Sequence, residues 1–279
     1  MLEVSVRALR VSGLSYAYRL VRHEAPRTEP LVALGGIFQG MLHWPDLEDA
    51  VTPVTSLVTA DLPGAGASDP LRREHDSNVL SMALDNIITD LGVPRVNLYG
   101  YSYGSTIAFR YAQLRPDRVA RLVLGGVPAR ITEDQLARCR EAGVLYDTGD
   151  PQGFATLVAE LSLCRDRSRY VHRRDLAYSC YRRALLHATR TPNGKSVLED
   201  ALYRRPPLTG GLKGVPTLVF TGEHDTVSTA EEQRRFASSI AGSDFVTIPD
   251  SDHLVPLERP EAVTSLIASY LTLRTPAWA

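Results

Sequence analysis

One short stretch of the sequence constrains the fold more than any other. The apolar, β-prone residues 96–99 lead into Gly100-Tyr101-Ser102-Tyr103-Gly104, and a helix-forming segment follows at once. This pattern predicts a strand, a tight turn and a helix, with Ser102 held in a strained backbone conformation that lifts its hydroxyl above the end of a sheet. Gly100 and Gly104 lack a Cβ, so the strand and the helix can approach closely. An ordinary turn serine between two glycines would look the same, and the rest of the chain decides between the two interpretations.

The composition of the chain is that of an ordinary globular protein. Its 279 residues, 44% hydrophobic and 23% charged, suffice for one large domain or for one domain with an insertion. A net charge of −1 gives no electrostatic reason to expect nucleic acid or a membrane surface as a partner. No secretory signal or membrane-spanning run is visible, and the three cysteines lack metal-like spacing. We therefore expect a cytoplasmic protein with free thiols and with no metal or cofactor.

Short apolar runs alternate with helix-forming segments along most of the chain. Residues 3–22 predict a hairpin that turns at Ser12-Gly13. Further strands are predicted at residues 30–34, 56–60, 96–100, 119–125, 215–222 and 245–248. Helices are predicted at residues 77–91 (with Ser77 as N-cap), from 102 to Pro116, at 229–241 and at 260–273. Because these short apolar runs do not resemble half-polar antiparallel strands, they favour an α/β fold with a mainly parallel sheet covered by helices on both faces.

The alternation of strands and helices stops near Pro128 and returns at Val215. Between them a Thr132/Gln135 capping box predicts a helix through residue 141, and Asp150-Pro151 begins another. Residues 169–188 and a segment before residue 204 complete an all-helical insertion. We therefore divide the chain into a core (1–128 and 208–279) and a helical cap (129–207).

Ser102 needs two partners before it can act as a nucleophile. A serine hydroxyl is a poor nucleophile at neutral pH and requires a base that is oriented by an acid. Asp225 follows the strand at 215–222 and His253 follows the last strand, so both are expected at the same sheet edge as Ser102. The order Ser, Asp, His along the chain is that of the α/β-hydrolases.

The sequence resembles the α/β-hydrolase family, specifically its capped branch with a serine nucleophile (esterase, thioesterase and proline-iminopeptidase-like members). Besides the Ser102 turn, the resemblance rests on Asp-x-Pro-Gly-x-Gly-x-Ser at 61–68, Gly-x-x-Asp at 222–225 and Asp252-His253, in the family's order. It covers nearly the whole chain. It implies an eight-stranded, mostly parallel sheet flanked by helices, with a helical cap inserted after the sixth strand.

Neighbouring residues compete for the roles of base and acid. His224 is adjacent to Asp225, so its ring cannot easily contact that carboxylate and also reach Ser102. Glu223 and Asp252 are rival acids, but the family pattern favours Asp225. The resemblance therefore implies Ser102, His253 and Asp225 as nucleophile, base and orienting acid.

A backbone oxyanion hole is expected beside Ser102. The residue after the nucleophile supplies one N–H, which predicts Tyr103 as the first donor. The family usually carries His-Gly in the loop after the strand at 30–34, and aligning Gly36 with that glycine makes Ile37 the second donor, with Phe38 as the alternative. Gly35 stands where the family has histidine, which generally braces this loop. The residues expected to line the substrate pocket are Gly36, Phe38, Gln39 and Tyr101, with Gln39 as a polar group.

These residues predict acyl transfer through a covalent intermediate on Ser102. Carboxylesterase is the default activity, acting on the ester or thioester of a small-molecule acyl substrate. A serine at position 102 argues against the dehalogenase and epoxide-hydrolase branches, which need a carboxylate nucleophile. A peptidase is disfavoured because residues 35–38 lack the proline-bearing loop of proline iminopeptidases.

A second interpretation is an acyltransferase or thioesterase acting on carrier-protein or coenzyme A thioesters. Residues 130–210 carry four more basic than acidic residues, and their arginines could meet an acidic carrier or phosphates. The arginines concerned are Arg165, Arg167, Arg169, Arg173, Arg174, Arg182 and Arg183. The simpler interpretation of these arginines is that they lie on a solvated helix surface, in a protein whose basic residues are mostly arginine because of genomic codon bias. A carbon–carbon bond hydrolase, a cofactor-free haloperoxidase and a catalytically silent small-molecule binding protein also remain open.

Overall fold

The computed structural model describes residues 3–72, 74–76, 78–164, 166–191, 193–194, 199–200 and 208–272. Its strands are β1 (Glu3–Val11), β2 (Leu14–Arg22), β3 (Leu31–Leu34), β4 (Leu57–Asp61), β5 (Val96–Tyr101), β6 (Val119–Gly125), β7 (Thr217–Gly222) and β8 (Asp244–Ile248). They form one eight-stranded sheet in the order β1-β2-β4-β3-β5-β6-β7-β8. The β1–β2 and β2–β4 pairs are antiparallel and the remaining pairs are parallel. The predicted eight-stranded, mostly parallel sheet is confirmed.

Helices cover both faces of this sheet. They are α1 (Pro45–Val51), α2 (Val79–Asp90), α3 (Tyr103–Leu114), α4 (Glu133–Asp147), α5 (Pro151–Leu161), α6 (Arg174–Ala188), α7 (Ala230–Ser238), α8 (Val255–Glu258) and α9 (Pro260–Thr272). The helices α2, α3 and α7 pack on one face and α1 and α9 on the other. All six residues of β5 are buried, because its side chains alternate between two covered faces: Leu98 faces the first cluster and Tyr99 the second. In the part of the chain described, no helix is long and apolar enough to cross a membrane.

The helices α4, α5 and α6 lie between β6 and β7 in the chain and form a layer of their own. Buried Phe154, Val158 and Leu185 join them, and Ile37 and Phe38 from the loop after β3 pack against this cluster. The layer therefore contacts the loop at the carboxyl end of β3. The boundaries of the cap at residues 128/129 and 207/208 stay a prediction, because residues 201–207 lie outside the described part.

The observed helices differ from the predicted ones mainly in this layer. Residues 169–173 are not helical, and α6 begins only at Arg174, because Arg173 has a left-handed φ of 52° and the His172 N–H donates to the Asp250 carbonyl at 2.8 Å. The capping box of Thr132 is present, but α4 continues beyond residue 141 to Asp147 and ends before Gly149, whose φ is 77°. Ser77 and most of the helix predicted before residue 204 lie outside the described residues.

Candidate active site

Ser102 lies at the junction of β5 and α3 with a strained backbone. Its φ of 47° and ψ of −116° are unusual for a residue with a side chain, and its N–H donates to the Gly125 carbonyl at 2.8 Å. A Cβ at Gly100 would lie 2.6 Å from the Gly104 carbonyl oxygen, and one at Gly104 would lie 2.2 Å from the Leu34 carbonyl oxygen. The two flanking glycines are therefore required by close backbone packing.

The ends of three strands bring the side chains of Ser102, His253 and Asp225 together. Ser102 Oγ lies 3.0 Å from His253 Nε2, and His253 Nδ1 lies 2.9 Å from Asp225 Oδ2. The three residues follow β5, β8 and β7 respectively. This continuous chain of hydrogen bonds is the geometry needed for a histidine to take a proton from the serine hydroxyl.

The Asp225 carboxylate is buried and accepts several hydrogen bonds besides that of His253. Oδ1 accepts the N–H groups of Val227 and Ser228, each at 2.8 Å, and Oδ2 accepts the hydroxyls of Ser228 at 2.8 Å and Thr221 at 3.0 Å. Burial alone would raise the pKa of Asp225, but His253 and these donors outweigh it and lower the pKa below its usual value. The carboxylate therefore stays ionised beside the imidazole.

The protonation of His253 is controlled by the same contact. Burial lowers the pKa of the imidazole, but the Asp225 carboxylate raises it more, so that the net shift is upward. The Tyr101 hydroxyl donates to the His253 carbonyl at 2.8 Å and so fixes the backbone of this loop. The imidazole is thus oriented from both its ring and its backbone.

Asp252, the rival acid next to His253, has different partners. Its Oδ2 accepts the N–H of Cys164 at 3.0 Å, and its own N–H donates to Glu258 Oε2 at 2.7 Å. Burial and the neighbouring Asp252 raise the pKa of Glu258 to about 10. Asp252 therefore ties the loop between α5 and α6 to the histidine loop, which sequence reasoning did not detect. The other rival acid, Glu223, accepts the Asp250 N–H at 3.1 Å.

The loop after β3 lies directly beside Ser102. A Cβ built on Gly36 would lie 3.7 Å from Ser102 Cβ. The Ile37 N–H makes no hydrogen bond within the described part of the chain, while Tyr103 is the first residue of α3, where backbone N–H groups point out of the helix end. Phe38 has a left-handed φ of 67°, and its ring packs edge-on against Phe154, with 6.2 Å between the centroids.

Gln39 occupies the space that the missing side chain at position 35 leaves open. A Cβ built on Gly35 would lie 2.7 Å from Gln39 Cβ and 2.8 Å from both Cγ and Oε1. Gln39 Oε1 accepts the Gly36 N–H at 3.3 Å, and Nε2 donates to the His43 carbonyl at 3.2 Å. The glutamine therefore braces this loop from within, and its polar atoms are used there rather than being left to the pocket.

Two adjacent chambers lie next to Ser102. The inner chamber, of about 250 Å³, is lined by Ser102 and His253 together with Ile37 and all four residues expected in the pocket, Gly36, Phe38, Gln39 and Tyr101. The outer chamber, of about 920 Å³, is larger but does not include Ser102 or His253 in its lining. The lining residues shared by the two chambers are Gly36, Phe38, Gln39, His43, Cys180 and Ala184. Over the residues that the structure describes, no group of three or more His, Cys, Asp or Glu side chains is placed to hold a metal ion.

Comparison with known proteins agrees with this fold. Residues 29–260 match the family model described as the alpha/beta hydrolase fold, so the chain belongs to that family. It is 25% identical over 275 residues to a putative 2-succinyl-6-hydroxy-2,4-cyclohexadiene-1-carboxylate synthase of Bacillus subtilis, covering 93% of this chain and 96% of the relative. It is 26% identical over 262 residues to a poly(3-hydroxyalkanoate) depolymerase of Ectopseudomonas oleovorans, covering 90% and 87%.

A solved structure shares the same architecture. The malate-bound thermophilic esterase of Thermogutta terrifontis superposes with a TM-score of 0.79 and 24% identity, over 96% of this chain and 98% of the esterase. At this identity the likeness concerns the fold. The chain is thus a member of a hydrolase family whose similar proteins include an esterase and a depolymerase.

Proposed function

We propose that this protein is a serine hydrolase that cleaves an ester or thioester bond through an acyl-enzyme on Ser102. The observation that carries the proposal is the pair of contacts from Ser102 Oγ to His253 Nε2 (3.0 Å) and from His253 Nδ1 to Asp225 Oδ2 (2.9 Å). Membership of the hydrolase family and the similarity to an esterase and a depolymerase support it.

The reaction begins when Ser102 Oγ attacks the substrate carbonyl carbon and His253 Nε2 takes the hydroxyl proton. The N–H groups of Ile37 and Tyr103 hold the oxyanion of the tetrahedral intermediate. His253 then gives its proton to the leaving alcohol or thiol as the bond to the carbonyl carbon breaks, and the acyl group stays on Ser102. Asp225 stabilises the imidazolium that forms.

Water completes the cycle. His253 takes a proton from a water molecule as its oxygen attacks the acyl-enzyme, and returns the proton to Ser102 Oγ when the carboxylic acid leaves. The mostly apolar inner chamber above Ser102 fits the acyl group of a small ester, since its lining includes Ile37, Phe38 and Leu254.

Carrier-protein thioesters receive less support from the cap arginines. Arg182 bonds to Thr156 Oγ1 at 3.1 Å, and Arg174 donates to the carbonyl of Arg169 at 2.7 Å. Arg173 pairs with Glu261 at 3.1 Å. These guanidinium groups are used within the protein, and Arg165 lies outside the described residues. We therefore favour hydrolysis of a small-molecule ester over acyl transfer from a carrier.

Labelling with a fluorophosphonate, read by intact mass, tests the nucleophile. We expect one adduct on the wild-type protein and none on Ser102→Ala, with slower labelling of Asp225→Asn. Ser238→Ala, which removes a serine on the exposed side of α7, is the matched control and should label like wild type. A folded wild-type protein that gains no adduct, or a Ser102→Ala variant that still does, would contradict the proposal. Turnover of p-nitrophenyl acetate then distinguishes an esterase from a silent binding protein.

A further inference from the structure

The outer chamber continues the space above Ser102 along one side of α6. Cys180 and Ala184 line both chambers, whereas Arg183 and His187 line only the outer one. Residues three and four apart share one side of a helix, which explains why these four side chains reach the same cavity. Because a helix rises 1.5 Å per residue, His187 lies about 10 Å along the axis from Cys180. Arg190, just after the helix, lines the outer chamber as well.

The cations of this wall have no carboxylate partners in the described part of the chain. Neither Arg183 nor Arg190 forms an ion pair there, in contrast to Arg173 and other cap arginines. Both side chains are exposed to solvent at the chamber. An arginine guanidinium is well suited to bind a carboxylate through two parallel hydrogen bonds.

The rest of the described lining carries little negative charge. Among the described residues that line the outer chamber, Asp61 is the one with an acidic side chain. It is only 7% exposed, and its Oδ1 accepts the Met41 N–H at 2.7 Å. The remaining lining is mostly small or apolar, as at Ala65, Leu80 and Ile107. The cavity therefore has an apolar end at Ser102 and a cationic end beyond Cys180.

We propose that the outer chamber binds a carboxylate at the far end of the substrate's acyl group, held by Arg183 and Arg190 with His187 beside them. This inference rests on the proposed function and specifies its substrate class: an ester or thioester of a dicarboxylic acid whose second carboxylate is free. The scissile carbonyl lies over Ser102 in the inner chamber, and the methylene chain passes Cys180 and Ala184. The span of about 10 Å along α6 suits a medium-length chain better than a short one.

Matched esters test this directly. The mono-p-nitrophenyl ester of suberic acid carries the free carboxylate, and its methyl-capped diester is nearly the same size but neutral. We expect kcat/KM for the half-ester to exceed that for the capped ester by about tenfold or more in wild type. The double variant Arg183→Gln/Arg190→Gln should bring this ratio close to one, mainly through a higher KM for the half-ester.

Arg167→Gln is the control, because Arg167 is an exposed cap arginine that lines neither chamber; its ratio should match wild type. A wild-type urea-unfolding midpoint shows that each variant is folded, and a fluorophosphonate adduct shows that its nucleophile is active. A wild-type ratio near one, or a ratio that survives the double variant, overturns the carboxylate site and leaves the esterase proposal intact. If wild type cleaves neither ester and takes no fluorophosphonate adduct, the esterase proposal fails and the carboxylate site fails with it.

Discussion

A double-mutant cycle with Gly35→Ala and Gln39→Gly tests whether the Gln39 side chain braces the loop beside Ser102. The φ of Gly35 is not in the left-handed region, so alanine fits its backbone. Its Cβ, however, would lie 2.7 Å from Gln39 Cβ. Since Cβ is fixed to the backbone, no rotation of the glutamine relieves the contact. We expect Gly35→Ala to destabilise the protein by about 1–3 kcal/mol, the usual cost of overpacking.

Gln39→Gly has a different cost. It removes the two hydrogen bonds to Gly36 and His43, worth about 0.5–1.5 kcal/mol each, and adds the backbone freedom of glycine, about 0.5–1 kcal/mol. In the double variant the clash at position 35 disappears, because the Gln39 side chain is gone. The free energies of unfolding should therefore be non-additive, with a coupling of about 1–3 kcal/mol.

Urea unfolding of the four proteins measures this coupling, and turnover of p-nitrophenyl acetate measures its effect on activity. Because Gln39 bonds the Gly36 N–H next to the proposed oxyanion donor Ile37, Gln39→Gly should lower kcat more than it changes KM. If Gly35→Ala lowers the free energy of unfolding equally in the presence and absence of the Gln39 side chain, the two positions are independent. That result would contradict the bracing role of Gln39.

Two further predictions concern pH. Asp225 raises the pKa of His253 above 6.5, so kcat/KM should rise with pH with a midpoint above 6.5. Asp225→Asn should lower that midpoint and reduce kcat/KM by about 10²–10⁴-fold. A pH–rate profile of Asp225→Asn with the wild-type midpoint would contradict the role of Asp225. Burial and Asp252 raise the pKa of Glu258 to about 10, so from about pH 4.5 to 10 the folded state retains a proton that the unfolded state releases, and stability falls as pH rises. Glu258→Gln lacks this titration, so its free energy of unfolding minus that of wild type should be about 1–3 kcal/mol larger at pH 8 than at pH 5. If urea unfolding gives the same difference at both pH values, Glu258 is already ionised in the folded protein.

The sheet and the residues at its edge were predictable because their signals are local and ordered. A buried strand must end where its apolar run ends, and parallel strands bring their carboxyl ends to one edge. The sequence alone therefore predicts Ser102, Asp225 and His253 at the same edge of the sheet. The same reasoning identified the glycines of the turn, since close backbone approach leaves few alternatives.

The supporting contacts were not predictable because they depend on side-chain packing between distant segments. Nothing in the sequence shows that Gln39 fills the space above Gly35, or that Asp252 meets the Cys164 N–H. A serine three residues after Asp225 is only a weak signal that its N–H and hydroxyl both donate to that carboxylate. The start of α6 was not predictable because it depends on the contact of the His172 N–H with Asp250, which is distant in the sequence.

The contacts of the histidine loop limit how freely this protein could exchange its cap with a relative. The Cys164 N–H donates to Asp252, and the His172 N–H donates to the Asp250 carbonyl at 2.8 Å. Both donors belong to the segment between α5 and α6, and both acceptors precede His253 by at most three residues. A transplanted cap must therefore supply backbone donors at these two points. Without them, the Asp252 carboxylate next to the proposed base would be left buried with an unmet hydrogen bond. In this chain, a change of cap that alters substrate choice therefore also affects the position of His253.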